Sequence, residues 1–127
     1  MKLNHDNVRS LLLFMEEKVG TSSRSESELL AFAEEKEISK DELIYIIQKL
    51  TEADYISSTI QYASNKVYWF SVNSITWNGH EYLDNIRDPK VWSVTKTVAS
   101  KVASVSLPIM GEIAKTQLLK ILGIELP

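Results

Sequence analysis

Residues 39–72 read SKDELIYIIQKLTEADYISSTIQYASNKVYWFSV, and the patterning changes partway along. The first part repeats apolar residues at helical spacing, with Leu43, Ile46, Ile47 and Leu50 on one stripe. Ser39 followed by Glu42 has the form of a capping box, so a helix is predicted over 40–53. The second part turns to β-branched and aromatic residues, which predicts strands at Tyr55–Tyr62 and Lys66–Val72. Ala63-Ser64-Asn65 separates the strands at hairpin length, and Asn65 tolerates the left-handed backbone that a tight turn needs.

Upstream, Asn4 is placed to cap a helix over 5–18, whose stripe is Val8, Leu11, Leu12 and Met15. Gly20 is the expected stop, and Thr21–Ser27 reads as a Ser-rich linker. Ser25 and Glu28 form a second capping box, ahead of a helix over 26–37 that turns Leu29, Leu30, Phe32 and Ala33 inward. That helix ends on Glu34, Glu35 and Glu37, against the sense of its dipole. Downstream, Thr76 caps a helix over 77–87 with Tyr82, Leu83 and Ile86 facing in. Asp88-Pro89 restarts the chain as a helix over 89–105, with a ridge of Val91, Val94, Val98, Val102 and Val105. A last helix over 108–122 carries Ile109, Ile113, Leu118, Ile121 and Leu122, and Gly123 stops it. Pro108 either starts this helix or kinks one long one.

The whole is 127 residues, one domain's length, with four Gly and three Pro, a count that favours helices over many tight β turns. There is no Cys, which excludes disulfides, thiolate metal sites and cysteine nucleophiles. The longest stretch without Asp, Glu, Lys or Arg is 67–80, too short and too polar for a membrane span. The apolar run Leu11–Phe14 is too short for a signal peptide, so the expected compartment is the cytoplasm.

Three helices, a hairpin, then a helix is the winged-helix order. The expected fold is therefore mainly α with a small β-hairpin. It has a winged-helix-like core over 1–88 and two C-terminal helices over 89–127 that pack on it or mediate dimerisation. Asp54 stands where such sequences often hold Gly, because the turn requires positive φ. Ile75-Thr76-x-x-Gly79-x-x-x-Leu83 also resembles winged-helix proteins, in which Thr caps the helix after the wing and Gly lets it sit close to the sheet. The longer stretch ITWNGHEYLDNIRDPKVW at 75–92 resembles the signature of a phage- and prophage-associated family, domain of unknown function number 2513. The start MKLNHDNVRSLLLFMEE and Lys101–Leu107 resemble it too, and 22–38 is the least familiar part. The resemblance implies a winged-helix-like core in a mobile-element setting and transfers no catalytic residues.

Little in the chain points to catalysis. His80-Glu81 opens like the zinc motif H-E-x-x-H, but its fifth position is Asp84 and the only other His is His5. No nucleophile elbow or phosphate-binding glycine loop is present, so no enzymatic activity, metal or cofactor is expected. DNA binding is what the fold invites. Its contacts would be Lys40, Tyr45, Gln48 and Lys49 on the third helix with Lys66 at the wing tip, and the assembly would be a dimeric regulator.

Charge argues the other way. The net −3 divides into −6 over residues 1–85 and +3 over 86–127. Glu34, Glu35, Glu37, Asp41 and Glu42 would repel phosphate and instead suit a protein partner. The C-terminal ridge of Val94, Val98, Val102, Ile109 and Ile113 is the second expected interaction surface, serving a homodimer. Trp69, Trp77 and Trp92 lack interleaved basic residues and are expected in the core. The reading is a non-enzymatic protein that works by protein–protein interaction, with DNA binding as the alternative.

Overall fold

In a computed structural model the described residues are 1–17 and 23–124. They form α1 (His5–Glu17), α2 (Glu26–Glu35), α3 (Lys40–Glu52), β1 (Ile56–Ala63), β2 (Lys66–Ile75), α4 (Trp77–Ile86), α5 (Pro89–Ala99) and α6 (Leu107–Ile121). The expected order holds: three helices, an antiparallel hairpin, a helix, then two more. The chain divides into two compact units, 1–80 and 81–127. The division falls within α4, earlier than the Asp88 boundary read from sequence, because Tyr82 packs within the second unit. A Cβ on Gly111 of α6 would lie 3.1 Å from the Tyr82 ring.

The first unit closes around Val8, Leu11 and Leu12 of α1, Leu29 and Phe32 of α2, and Leu43, Ile46, Ile47 and Leu50 of α3. Ile56, Phe70 and Val72 of the hairpin complete it, and all are buried. The caps are those the sequence announces. Asn4 Oδ1 accepts from the Asn7 amide at 3.1 Å, and Ser25 and Glu28 make the full reciprocal box. The Ser39 box is only half made. Ser39 Oγ accepts from the Glu42 amide, but the Glu42 carboxylate accepts from Asn7 Nδ2 at 2.7 Å and so ties α3 to α1. The expected stop at Gly20 lies outside the described residues. The supposed linker is structured where it is described: Arg24 forms an antiparallel bridge with Val72, laying a short extended segment beside β2.

The hairpin turns through Ser64 and Asn65, both at positive φ (53° and 65°), the type I′ pattern of a two-residue loop. β2 runs three residues past its expected end, to Ile75, which pairs with Ile56. Two register shifts leave Tyr68 and Asn73 without direct partners on β1. Thr76 then fastens α4. Its hydroxyl accepts from the Gly79 amide at 3.1 Å and donates to the Asp54 carbonyl at 2.5 Å. Gly79 has no room for more: a Cβ there would stand 2.0 Å from the Tyr55 carbonyl oxygen.

Helices α2, α3 and α6 finish the same way. Ile38 N–H donates to the Ala33 carbonyl, Tyr55 N–H to Leu50, and Ile124 N–H to Leu119, each at 2.8–2.9 Å. These are Schellman closures, and each needs one residue in the left-handed region. Gly123 supplies it for α6 (φ 74°), but Glu37 (φ 58°) and Asp54 (φ 62°) supply it for α2 and α3.

The second unit is a helical hairpin of α5 and α6 with Tyr82 of α4 packed against α6, and Leu83 and Ile86 are buried too. Asp88 caps α5, accepting from the Lys90 and Val91 amides at 2.8 and 3.1 Å. α5 stops at Ala99, six residues before its expected end. Past it the Lys101 and Val102 amides reach carbonyls only three residues back, so the helix unwinds. Val102 and Val105 therefore lie in the connector, and the valine period outlasts the helix. Pro108 does not kink a continuous helix. It sits in the first turn of a separate α6 capped by Ser106.

Candidate functional site

The turn from α2 to α3 gathers the acidic residues. Glu34, Glu35 and Glu37 are exposed, as is Asp41 in the first turn of α3. Glu34, Glu35, Glu37 and Asp41 make no side-chain hydrogen bond or ion pair among the described residues. Glu42 is different: half-buried and held by Asn7, it leaves the exposed set. Lys36 and Lys40 stand among the carboxylates, also exposed. Glu35 and Lys36 border an open groove of about 520 Å³ between α1 and α2. Its floor is the stacked pair Phe14 and Phe32, with ring centroids 4.6 Å apart, and Arg9, Glu16 and Glu17 stand at its rim.

Of the residues expected to read DNA, Tyr45, Gln48 and Lys49 are engaged with neighbours. Lys49 Nζ is 2.9 Å from Glu52 Oε2 and 5.7 Å from the Tyr45 ring centroid. Glu52 hydrogen-bonds the ammonium and holds its pKa above the ordinary value. Gln48 Nε2 donates to the Tyr62 hydroxyl at 3.1 Å, joining α3 to the wing. Lys40 and Lys66 are exposed. Among the described residues the helix and its closing turn thus present one free cation, Lys40, against Asp41 and Asp54, with Lys49 and Glu52 neutralising each other.

The C-terminal ridge is not a single stripe. Val94 is exposed and Val98 half-buried on α5, Ile109 is exposed and Ile113 half-buried on α6, and Val102 is exposed in the connector. The buried residues are instead Val91, Trp92 and Thr95 of α5 and Leu107, Met110, Gly111 and Ala114 of α6.

The tryptophans do not share a core. Trp92 is buried, but Trp77 is 78% exposed and Trp69 37% exposed. Trp69 lies on the hairpin face opposite Phe70, and Trp77 is the first residue of α4, ahead of its packed turns. Sequence reading also passed over two exposed tyrosines on the hairpin, Tyr62 and Tyr68. Period-two alternation predicts which residues share a face. It does not say which face is covered, and the bulge at Tyr68 breaks the alternation where it matters. His80 and Asp84 gather no third ligand: among the described residues no group of three His, Cys, Asp or Glu could hold a metal. Nor is any described helix long and apolar enough to cross a membrane.

These features define a mainly helical protein with a two-stranded hairpin and charged and aromatic surface patches. Residues 2–106 match the family described as "Hypothetical protein (DUF2513)", and the chain belongs to that family. It is also 32% identical over 117 residues to an uncharacterized protein of Haemophilus influenzae, covering 91% of this chain and 94% of that one. No solved structure matches it.

Proposed function

We propose that this chain is a non-enzymatic binding protein of phage or prophage type. It acts on a host or phage protein, including in antagonism of defence, by presenting the acidic α2–α3 turn to a basic face of that partner. The observation that carries this is Glu37. It occupies a left-handed position (φ 58°) where Gly is favoured, and a non-Gly residue there costs about 1–2 kcal/mol. Its carboxylate supports nothing in the fold. Its backbone closes α2, a task Gly performs without the strain, so the choice of Glu points to a role for the side chain outside the fold. With Glu34, Glu35 and Asp41 it forms a charged surface suited to a protein that itself binds nucleic acid, by charge complementarity.

The test is recovery of partners from host lysate with the natural chain and with Glu34→Lys, Glu35→Lys and Glu37→Lys combined. Basic, nucleic-acid-binding proteins retained by the natural chain and lost by the variant support the reading. Equal recovery sinks it. The second reading, a dimeric DNA-binding regulator, is favoured by the position of Gln48 and Tyr62 at the junction of α3 and wing. Salt-sensitive, sequence-selective gel shifts on DNA flanking its own gene would support that reading over the first.

A further inference from the structure

We infer that two copies of this chain associate through the free edge of β1, joining their hairpins antiparallel into one four-stranded sheet. The backbone sets the geometry. Val72 and Arg24 exchange both backbone hydrogen bonds, at 2.8 and 3.2 Å, so Val72 points its amide and carbonyl away from β1. Its register partner Ser58 then directs its own amide and carbonyl off the far side of the sheet. Alternation gives Ile60, opposite Phe70, the same outward direction. At the other end Ala63 and Lys66 flank the two-residue loop as a bonded pair, which turns Tyr62 outward as well. Ser58, Ile60 and Tyr62 thus form a row of backbone donors and acceptors, and among the described residues no strand pairs with it.

Edge strands are usually guarded by Lys, Pro or other charges. β1 reads ISSTIQYA and has none of them. Between Asp54 and Glu81 the one Lys, Arg, Asp or Glu is Lys66. Charge depletion beside exposed aromatics is the composition of an interface centre. Tyr62, 60% exposed, and half-buried Ile60 lie on the strand itself.

The row is self-complementary, which selects a second copy as the occupant. With a two-fold axis at Ile60, Ser58 meets Tyr62 of the second copy, Ile60 meets Ile60, and Tyr62 meets Ser58. These three pair among themselves, as an isologous contact requires, and Ile56, outward by the same alternation, lies at the buried base of the hairpin beyond the paired stretch. The charges run the same way: Lys66 marks the tip and Asp54 precedes the base, so antiparallel pairing sets each basic end toward an acidic one.

Sedimentation of the full chain tests this. The natural protein is expected near twice 14.4 kDa. Gln61 is exposed beside Ile60, so Gln61→Lys and Gln61→Glu each place like charges across the axis and should give monomers with unchanged circular dichroism. Mixing the two variants should restore dimers, seen as heterodimers by native mass spectrometry. Val94→Lys on the exposed side of α5 should leave the dimer intact. A monomeric natural protein overturns the inference. So does a Gln61→Lys chain that stays dimeric, or dissociation by Val94→Lys alone.

Discussion

The guanidinium of Arg24 donates to the Phe14 carbonyl at 2.9 Å while its carbon lies 4.5 Å from the centroid of the Phe14 ring. The same side chain, only 5% exposed, also bonds Glu28 at 3.1 Å, and its backbone bridges to Val72. One residue therefore ties the end of α1, the start of α2 and the middle of β2. Removing it leaves the Phe14 carbonyl without this donor and Glu28 without this ion pair. Hydrogen bonds to charged groups contribute about 1.5–3 kcal/mol each, so Arg24→Met is expected to destabilise by about 3 kcal/mol in urea unfolding. Arg24→Lys should recover little, because an ammonium cannot span both acceptors in a fork.

Gly79 is set by contact rather than by φ. Helix propensity alone would make Gly79→Ala stabilising by about 1 kcal/mol. With the new Cβ at 2.0 Å from the Tyr55 oxygen, the expected outcome is instead a loss of about 3 kcal/mol, through displacement of α4 from the α3–β1 turn. A melting temperature equal to that of the natural chain would refute this packing.

Glu37→Gly should separate stability from binding. Relief of the left-handed strain is expected to stabilise by about 1 kcal/mol, read by thermal unfolding. The same variant should weaken capture of the basic partner. A gain in stability with no loss of binding would remove Glu37 from the interaction surface. Such opposition is the usual mark of a residue kept for function.

Burial raises the pKa of the Tyr55 phenol above its ordinary value. The folded state then holds its proton more tightly than the unfolded state does. This contribution to stability is complete below the unfolded value, about 10, and is lost as pH rises through the higher folded value. The melting temperature of the natural chain should fall across that alkaline window, and Tyr55→Phe should fall less steeply.

Helix starts were the most legible part of the sequence, because capping is local chemistry. Ser25 with Glu28, Thr76, and Asp88 with Pro89 each carry their partner within three residues. What escaped depends on distant partners. Arg24 lies in a polar run that reads as linker, and only Phe14 and Val72, far along the chain, make it structural. The end of α5 was invisible because valines keep the helical period through Val105 after the hydrogen bonds have lapsed. Trp69 and Trp77 looked like core because size and apolarity do not say which side of an element is covered. The acidic residues of the candidate surface were readable as a cluster, but not the strained backbone at Glu37 or the turning of Glu42 toward Asn7.

Helix α6 carries its own start and its own finish: Ser106 and Pro108 at one end, Gly123 at the other. The connector that leads to it, 100–106, is exposed along most of its length, and the family match ends where it does. That makes α6 a cassette. A fluorophore or short peptide inserted at Ala103-Ser104 should leave both flanking helices formed, since exposed connectors absorb insertions that helices cannot. The site belongs to neither the acidic turn nor β1, so a label placed there leaves the residues of both surfaces unchanged.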